Sequence, residues 1–151
     1  METGDTLPDG RLTRADGTDI ALRDQIGAPL VLYFYPKADT TGCTREAQDF
    51  SALAEGFAAR NATVIGVSRD TSAKLSRFAE KHGLTVTLAG DADGSVCEAF
   101  GVWGEKQMYG RTYLGIERAT FLFDAAGTLA RQWRKVKVAG HAQDVLDAVS
   151  A

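Results

Sequence analysis

A cysteine that follows a proline and a threonine at fixed spacing is the part of this sequence best suited to chemistry: Pro36, Thr40 and Cys43. The thiolate form of cysteine is a strong nucleophile. The Thr40 hydroxyl can donate a hydrogen bond to that thiolate or accept one from a bound peroxide, but it cannot form a disulfide. The spacing therefore favours a site in which a single sulfur is the nucleophile over a dithiol site of the Cys-x-x-Cys type.

The elements around Cys43 place it at the start of a helix. Residues 30–35 are an apolar run ended by Pro36, which predicts a buried strand. Beyond Cys43, apolar residues recur at three- and four-residue steps over 47–57, the periodicity of a helix, with Gly56 as a local weakness. The free N–H groups and the dipole of a first helical turn stabilise a thiolate. The plainer interpretation is that Cys43 is a small buried apolar residue.

Arg118 is the second residue that the pattern singles out. The segment 115–133 is typical of a strand, a turn and a second strand, and Arg118 lies near the start of the first strand. A buried cation is costly unless it is paired. The plainer role of Arg118 is therefore a salt bridge with a carboxylate such as Glu46, which lies one helical turn beyond Cys43.

The remaining segments alternate between strands and helices. Because a helix separates the strands at 30–35 and 62–68, we expect these two strands to be parallel. The other predicted elements are a hairpin over 9–22, a helix ending at Gly83, a short strand over 84–89, a short helix over 96–100 and a final helix over 141–150. This order predicts an α/β, thioredoxin-like fold with a central mixed sheet flanked by helices and an N-terminal β-hairpin.

Residues 101–115 contain aromatic side chains among four glycines. This composition favours a loop. Its aromatic residues would line the entrance of a site, cover a dimer contact or simply pack beneath the loop. The sequence leaves these three roles open.

Length and charge exclude several functional classes. A chain of 151 residues is expected to form one domain, 1–151. The net charge of −3 offers no basic face for nucleic acid or an anionic membrane. The N-terminal residues lack the apolar core of a signal peptide, and no apolar run is long enough to span a membrane. We therefore expect a cytoplasmic protein.

The metal-binding residue types are sparse. In a reducing compartment, cysteines are more often reactive or simply buried than disulfide-bonded, and we expect the same of the two cysteines here, Cys43 and Cys97. The two histidines, His82 and His141, lie far apart in sequence, and neither is near a Cys-x-x-Cys spacing. The sequence therefore predicts no metal site and no cofactor.

Several motifs resemble the peroxiredoxins, thiol peroxidases on a thioredoxin-like scaffold. The Pro36, Thr40 and Cys43 pattern matches their active-site motif, and IERATF at 116–121 is similar to the strand whose arginine faces the reactive sulfur. FYPKA at 34–38, TTGCT at 40–44 and FGVWGEK at 100–106 resemble the branch called peroxiredoxin Q or bacterioferritin comigratory protein. One departure is Thr41, where that branch usually has proline.

The resemblance implies an activity and a role for each motif residue. Cys43 would be the peroxidatic cysteine, which reduces hydrogen peroxide and organic hydroperoxides and becomes a sulfenic acid. Arg118 would hold the thiolate and polarise the peroxide, Glu46 would orient Arg118, and Pro36 would shield the sulfenic acid. These roles are those of an antioxidant enzyme.

The step that regenerates Cys43 is less well specified. Members of this branch with an internal resolving cysteine usually carry it at one of two positions, which here are Gln48 and Ala79. Cys97 is the remaining candidate, and it would have to come within about 7 Å of Cys43, Cα to Cα. We therefore favour a one-cysteine cycle completed by thioredoxin, glutaredoxin or a small thiol. The branch is often monomeric, with a dimer as the alternative.

Two other functions share parts of this pattern. A non-enzymatic redox sensor or thioredoxin-like binding module would use a reactive Cys43 but would not need Thr40 and Arg118 together. A thiol–disulfide oxidoreductase is disfavoured because the first cysteine of its motif is replaced by Thr40.

Overall fold

A computed structural model of the chain describes residues 1–149. Within that range the chain forms nine strands and five α-helices, with a 3-10 turn at Leu22–Gln25. The strands are β1 (Arg11–Arg14), β2 (Asp19–Ala21), β3 (Leu30–Phe34), β4 (Thr63–Ser68), β5 (Thr87–Gly90), β6 (Trp103–Met108), β7 (Arg111–Ile116), β8 (Ala119–Phe123) and β9 (Leu129–Trp133). The helices are α1 (Thr41–Ala52), α2 (Ala54–Ala59), α3 (Ser72–His82), α4 (Ser95–Ala99) and α5 (His141–Ala148).

Seven strands form one mixed sheet in the order β2-β1-β5-β4-β3-β8-β9. The pairs β3–β4 and β4–β5 are parallel, and the other neighbours are antiparallel. The predicted mixed sheet, the N-terminal hairpin and the parallel pair flanking a helix are confirmed. The strand that leads to Cys43 therefore lies in the interior of the sheet, with β4 on one side and β8 on the other.

The central strand β3 is buried on both faces and so contributes to two cores. Leu30, Leu32 and Phe34 pack on the face that carries α4, whereas Val31 and Tyr33 pack on the face that carries α1, α2, α3 and α5. This alternation follows from the two-residue period of a strand. The uninterrupted apolar run from which the strand is predicted reflects burial on both sides.

The predicted helix over 47–57 is interrupted, but not at Gly56, the local weakness that the sequence indicates. α1 ends at Ala52 and α2 begins at Ala54, with Leu53 between them, whereas Gly56 lies inside α2. A Cβ at Gly56 would come within 2.9 Å of the Leu146 side chain in α5. Glycine at this position therefore permits close packing of two helices and does not end one.

The predicted loop over 101–115 is wrong, because these residues form most of the antiparallel hairpin β6–β7. Its two-residue turn has φ of 52° at Tyr109 and 76° at Gly110, values that suit a tight hairpin connection. The aromatic residues here do not alternate with polar ones in a clean strand pattern, and this hairpin is not part of the main sheet. The four glycines therefore favoured the prediction of a loop, because the residues between them show only a weak strand pattern.

His141 packs beneath β8 as a neutral residue. Its side chain is 5% exposed, and its Nε2 lies 2.7 Å from Thr120 Oγ1. Burial lowers the pKa of His141 from 6.5 to about 4. Because the unfolded chain takes up a proton more readily, the stability that neutral His141 contributes is full above about pH 6.5 and is lost as the pH falls through 4.

A His141→Gln variant, which does not titrate, tests this pH dependence. Between pH 7 and pH 5 we expect the wild type to lose about 2 kcal/mol of unfolding free energy relative to the variant. Urea denaturation at both pH values measures the difference. Parallel pH profiles for the two proteins would contradict the assignment.

Candidate active site

Cys43 lies in the first turn of α1, as the third residue of the helix. It is 1% exposed and has no disulfide partner. Thr40 precedes the helix in an extended conformation, and its carbonyl accepts hydrogen bonds from Thr44 N at 2.9 Å and Thr44 Oγ1 at 2.7 Å. The predicted placement of the sulfur at a helix N-terminus is confirmed, so the free N–H groups there are available to an anion.

The sheet register brings Arg118 to this helix. β8 is antiparallel to β3, with Ala119 opposite Phe34, so Arg118 lies at the edge from which the chain enters α1. Arg118 Nη2 donates to Cys43 Sγ at 3.3 Å. Next to the cysteine, a Cβ at Gly42 would lie 3.2 Å from the same nitrogen. The absence of a side chain at Gly42 therefore lets the guanidinium approach.

Glu46 holds the other side of the guanidinium. Arg118 Nη1 donates to Glu46 Oε1 at 2.6 Å, and the Glu46 side chain is 1% exposed. Burial raises the pKa of Glu46 to about 7, although the charge of Arg118 opposes this shift. Burial lowers the pKa of Arg118, but the charges of Glu46 and Cys43 outweigh burial and raise it. The structure thus brings together three predicted residues in one chain of contacts, and the predicted Arg118–Glu46 salt bridge is confirmed.

Thr40 and Pro36 lie at the mouth of the same site. The Thr40 hydroxyl is exposed and donates to the Lys37 carbonyl at 2.9 Å. The hydrogen of the Thr40 hydroxyl is therefore already used in this bond, while the lone pairs on its oxygen remain available to accept a hydrogen bond. Of the two roles that the sequence allows for Thr40, this geometry favours accepting a hydrogen bond from a hydroperoxide over donating one to the thiolate.

A cavity of about 680 Å³ opens in front of these residues. Trp103 and Tyr113 of the β6–β7 hairpin line it, so the aromatic segment contributes to the site entrance, one of its three predicted roles. Lys106 lines it too and donates to the Ile116 carbonyl at 2.9 Å, and burial lowers the Lys106 pKa. The cavity combines an apolar wall with several cations.

Sequence reasoning missed Asp70, which supports the segment before α1. Its Oδ2 accepts hydrogen bonds from Ala38 N at 2.8 Å and from Ser68 Oγ at 2.8 Å. Asp70 follows the parallel strand β4. The predicted parallel pairing of β3 and β4 could have indicated this role, because the carboxyl ends of neighbouring parallel strands meet at the same edge of a sheet.

Cys97 lies on the opposite side of the sheet from Cys43. It is 0% exposed and belongs to the core that contains α4, whereas Cys43 belongs to the core that contains α1. Burial, together with the neighbouring Asp91 carboxylate, raises the pKa of the Cys97 thiol well above its ordinary value. The Asp91 carboxylate accepts a hydrogen bond from Cys97 N at 2.7 Å. A thiolate at Cys97 is therefore disfavoured in the folded protein.

The part of the chain that the structure describes contains neither a metal-binding cluster nor a membrane-spanning helix. Over residues 1–149, no group of three or more His, Cys, Asp or Glu side chains is arranged to hold a metal ion. In the same part of the chain, no helix has the length and apolar character needed to cross a membrane.

Comparison with known proteins shows the family. The model of the AhpC/TSA family matches residues 3–132. Peroxiredoxin Bcp of Bacillus subtilis is 46% identical over 146 residues, which cover 97% of this chain and 93% of that protein. Peroxiredoxin Bcp of Escherichia coli K12 is 42% identical over 147 residues, which cover 97% and 94%. The motif-based resemblance is confirmed.

Solved structures agree in fold. Xanthomonas campestris bacterioferritin comigratory protein, studied for alkyl peroxide reduction, has a TM-score of 0.88 and 44% identity, covering 96% of this chain and 97% of that one. A mutant of Xylella fastidiosa PrxQ has a TM-score of 0.92 and 42% identity, covering 97% and 94%. These neighbours are thioredoxin-fold peroxiredoxins, so the predicted fold class is confirmed, and a non-enzymatic binding module is not favoured. The chain therefore belongs to the AhpC/TSA family, within the peroxiredoxin Q or Bcp branch of thiol peroxidases.

Proposed function

We propose that Cys43 is the peroxidatic cysteine of this thiol peroxidase. The Cys43 thiolate attacks the terminal oxygen of a hydroperoxide, the S–O bond forms and the O–O bond breaks. Cys43 is oxidised to a sulfenic acid, and the peroxide is reduced to water or an alcohol after the departing oxygen takes a proton. Hydrogen peroxide and organic hydroperoxides are the proposed substrates.

One observation carries this proposal: Arg118 contacts the Cys43 sulfur and the Glu46 carboxylate at the same time. A free thiol is about 3% ionised at pH 7, so full ionisation increases the reactive fraction roughly thirty-fold, or about 2 kcal/mol. Enzymatic accelerations correspond to at least about 8 kcal/mol. Most of the acceleration must therefore come from positioning the peroxide and stabilising charge on the departing oxygen, which the Arg118 cation can do.

The other residues have supporting roles in this proposal. Thr40 accepts a hydrogen bond from the hydroperoxide, which orients the O–O bond toward the sulfur. Pro36 shields the sulfenic acid from water and from over-oxidation. Glu46 fixes the direction in which Arg118 points, because its buried oxygen leaves the guanidinium one preferred orientation.

For the second half of the cycle we propose a one-cysteine mechanism. An external thiol condenses with the Cys43 sulfenic acid, releases water and forms a mixed disulfide, which a second thiol then reduces. Thioredoxin, glutaredoxin or a small thiol would supply these groups. Burial of Cys97 behind the sheet supports an external source over resolution by Cys97. We further propose that residues 1–151 act as a single domain, a monomer, in the cytoplasm.

Intact-mass analysis and a free-thiol count after one equivalent of hydrogen peroxide test the proposal, with a sulfenic-acid trap present. We expect the trap on Cys43 while Cys97 stays free. Loss of both thiols without a trap adduct would make Cys97 the resolving residue, and a non-reducing gel would show whether the bridge joins two chains. No rapid reaction at Cys43 would overturn its assignment as the peroxidatic residue.

A further inference from the structure

Access to Cys43 differs for its two reaction partners. A small peroxide can approach through the cavity in front of Pro36 and Thr40. A protein thiol is too large for that route, because Cys43 is 1% exposed and lies inside the first turn of α1. The terminal turn of a helix is also where local opening costs least. The frequency with which this turn opens therefore limits how fast a large thiol reaches the sulfur.

Asp39, which lies in the segment before that turn, forms hydrogen bonds with another helix. Asp39 Oδ2 lies 2.9 Å from Lys81 Nζ, and Asp39 Oδ1 accepts a hydrogen bond from His82 Nε2 at 2.8 Å. Both partners belong to the last turn of α3. These hydrogen bonds lower the pKa of Asp39 below its usual range. These contacts therefore join the segment that precedes α1 to α3, a helix that does not carry Cys43.

The backbone of Asp39 makes these contacts specific to the closed conformation. Its φ is 64°, in the left-handed region that aspartate and asparagine tolerate better than most residues. On one side of it, Ala38 N is held by Asp70; on the other, the Thr40 carbonyl accepts from Thr44. When the first turn of α1 unwinds, residue 39 is no longer constrained to this geometry. Contacts made in one state and lost in the other shift the balance between them.

We propose that Asp39, held by Lys81 and His82, is a positioning residue that keeps the first turn of α1 closed and thereby sets how fast a large thiol reaches Cys43. The inference rests on the proposed role of Cys43. It separates the two half-reactions: peroxide reacts with the closed state, which stays dominant when the contacts are weakened, whereas a large thiol needs the open state. Weakening the contacts of Asp39 should therefore accelerate only the half-reaction with a large thiol.

Asp39→Asn tests the proposal, because asparagine keeps the left-handed backbone while losing the charge. The probe is an uncharged synthetic peptide with one cysteine, mixed with the sulfenic acid form and quenched for mass analysis. Loss of an exposed ion pair predicts that mixed-disulfide formation rises about two- to five-fold. The rate constant for oxidation by hydrogen peroxide should change by less than about two-fold. Parallel loss of both rates, or an unchanged mixed-disulfide rate, would overturn the proposal.

Two further variants separate this contact from a general effect of charge. Lys81→Gln leaves the backbone at Asp39 untouched and should raise the same rate, and the double variant should add little to either single one. Asp16→Asn is the matched control, because Asp16 is an exposed turn carboxylate that accepts from Thr18, in the β1–β2 hairpin. Independent, additive increases, or an equal increase in the Asp16 control, would contradict a specific contact.

A readout without peroxide keeps this inference distinct from the proposed function. In the reduced protein, a bulky maleimide should label Cys43 about two- to five-fold faster in Asp39→Asn than in the wild type. High salt should accelerate labelling of the wild type and leave the variant unchanged. A wild type that fails to consume peroxide would refute the proposed function, whereas equal labelling rates would refute the role of Asp39.

Discussion

Replacement of Arg118 by glutamine is expected to lower kcat/KM for hydrogen peroxide by about 10²–10³-fold, the usual effect of removing one charge-stabilising donor. Arg118 Nη2 lies 3.3 Å from the Cys43 sulfur, where its charge is placed to act in two steps of the proposed reaction. In the proposed mechanism, Arg118 stabilises the thiolate before the attack and the charge that develops on the departing oxygen. Glutamine retains a hydrogen-bond donor but carries no charge.

Competition kinetics against a reference peroxidase measure this loss, and circular dichroism establishes that the variant is folded. Arg118→Lys should retain part of the activity, because lysine keeps the charge but cannot contact Cys43 and Glu46 with a planar fork. Arg131→Gln is the matched control: Arg131 lies over the Trp133 ring on β9 and does not line the cavity. Wild-type activity in Arg118→Gln would refute the role assigned to Arg118.

Replacement of Glu46 by alanine is expected to destabilise the fold by about 3 kcal/mol, because it leaves the Arg118 cation without its buried partner. Glu46→Gln should cost less than about 1 kcal/mol, since its amide oxygen can still accept from Arg118 Nη1. Urea denaturation at pH 7 measures both values. Equal stability of the alanine and glutamine variants would show that the Arg118 charge is well solvated without Glu46.

The pH dependence of the same pair provides a second test. Burial raises the pKa of Glu46 from 4.5 to about 7, and its Oε2 has no hydrogen-bond partner within residues 1–149. Between these two values, the folded protein binds a proton that the unfolded chain releases. The contribution of protonated Glu46 to the free energy of unfolding is therefore full below about pH 4.5 and is lost as the pH rises through 7. Relative to Glu46→Gln, the wild type should lose stability over that range. A constant difference between the two proteins would contradict the raised pKa.

Local patterns were sufficient for the elements next to Cys43. An apolar run ended by Pro36 identifies β3, and helical periodicity beyond Cys43 identifies α1, because burial on both faces and a 3.6-residue period leave strong marks on composition. The β6–β7 hairpin was missed because it lies outside the main sheet and its aromatic residues do not alternate cleanly. The break at Leu53 was not predicted, and Gly56, the local weakness that the sequence indicates, serves the contact between α2 and α5.

For this protein, the sequence by itself determined the strand before Cys43 and the helix N-terminus at which this residue lies, because both depend on residue type and on spacing along a short segment. The pairing of Arg118 with the Cys43 sulfur was implied by the resemblance to the peroxiredoxins. Only the tertiary structure decided that Asp70 and Asp39 support the segment before α1, that the Thr40 hydrogen is directed at Lys37, and that Cys97 lies behind the sheet. These facts depend on which strands are neighbours and on which face each helix packs, and contacts between residues distant in the chain leave no periodic signal in one sequence.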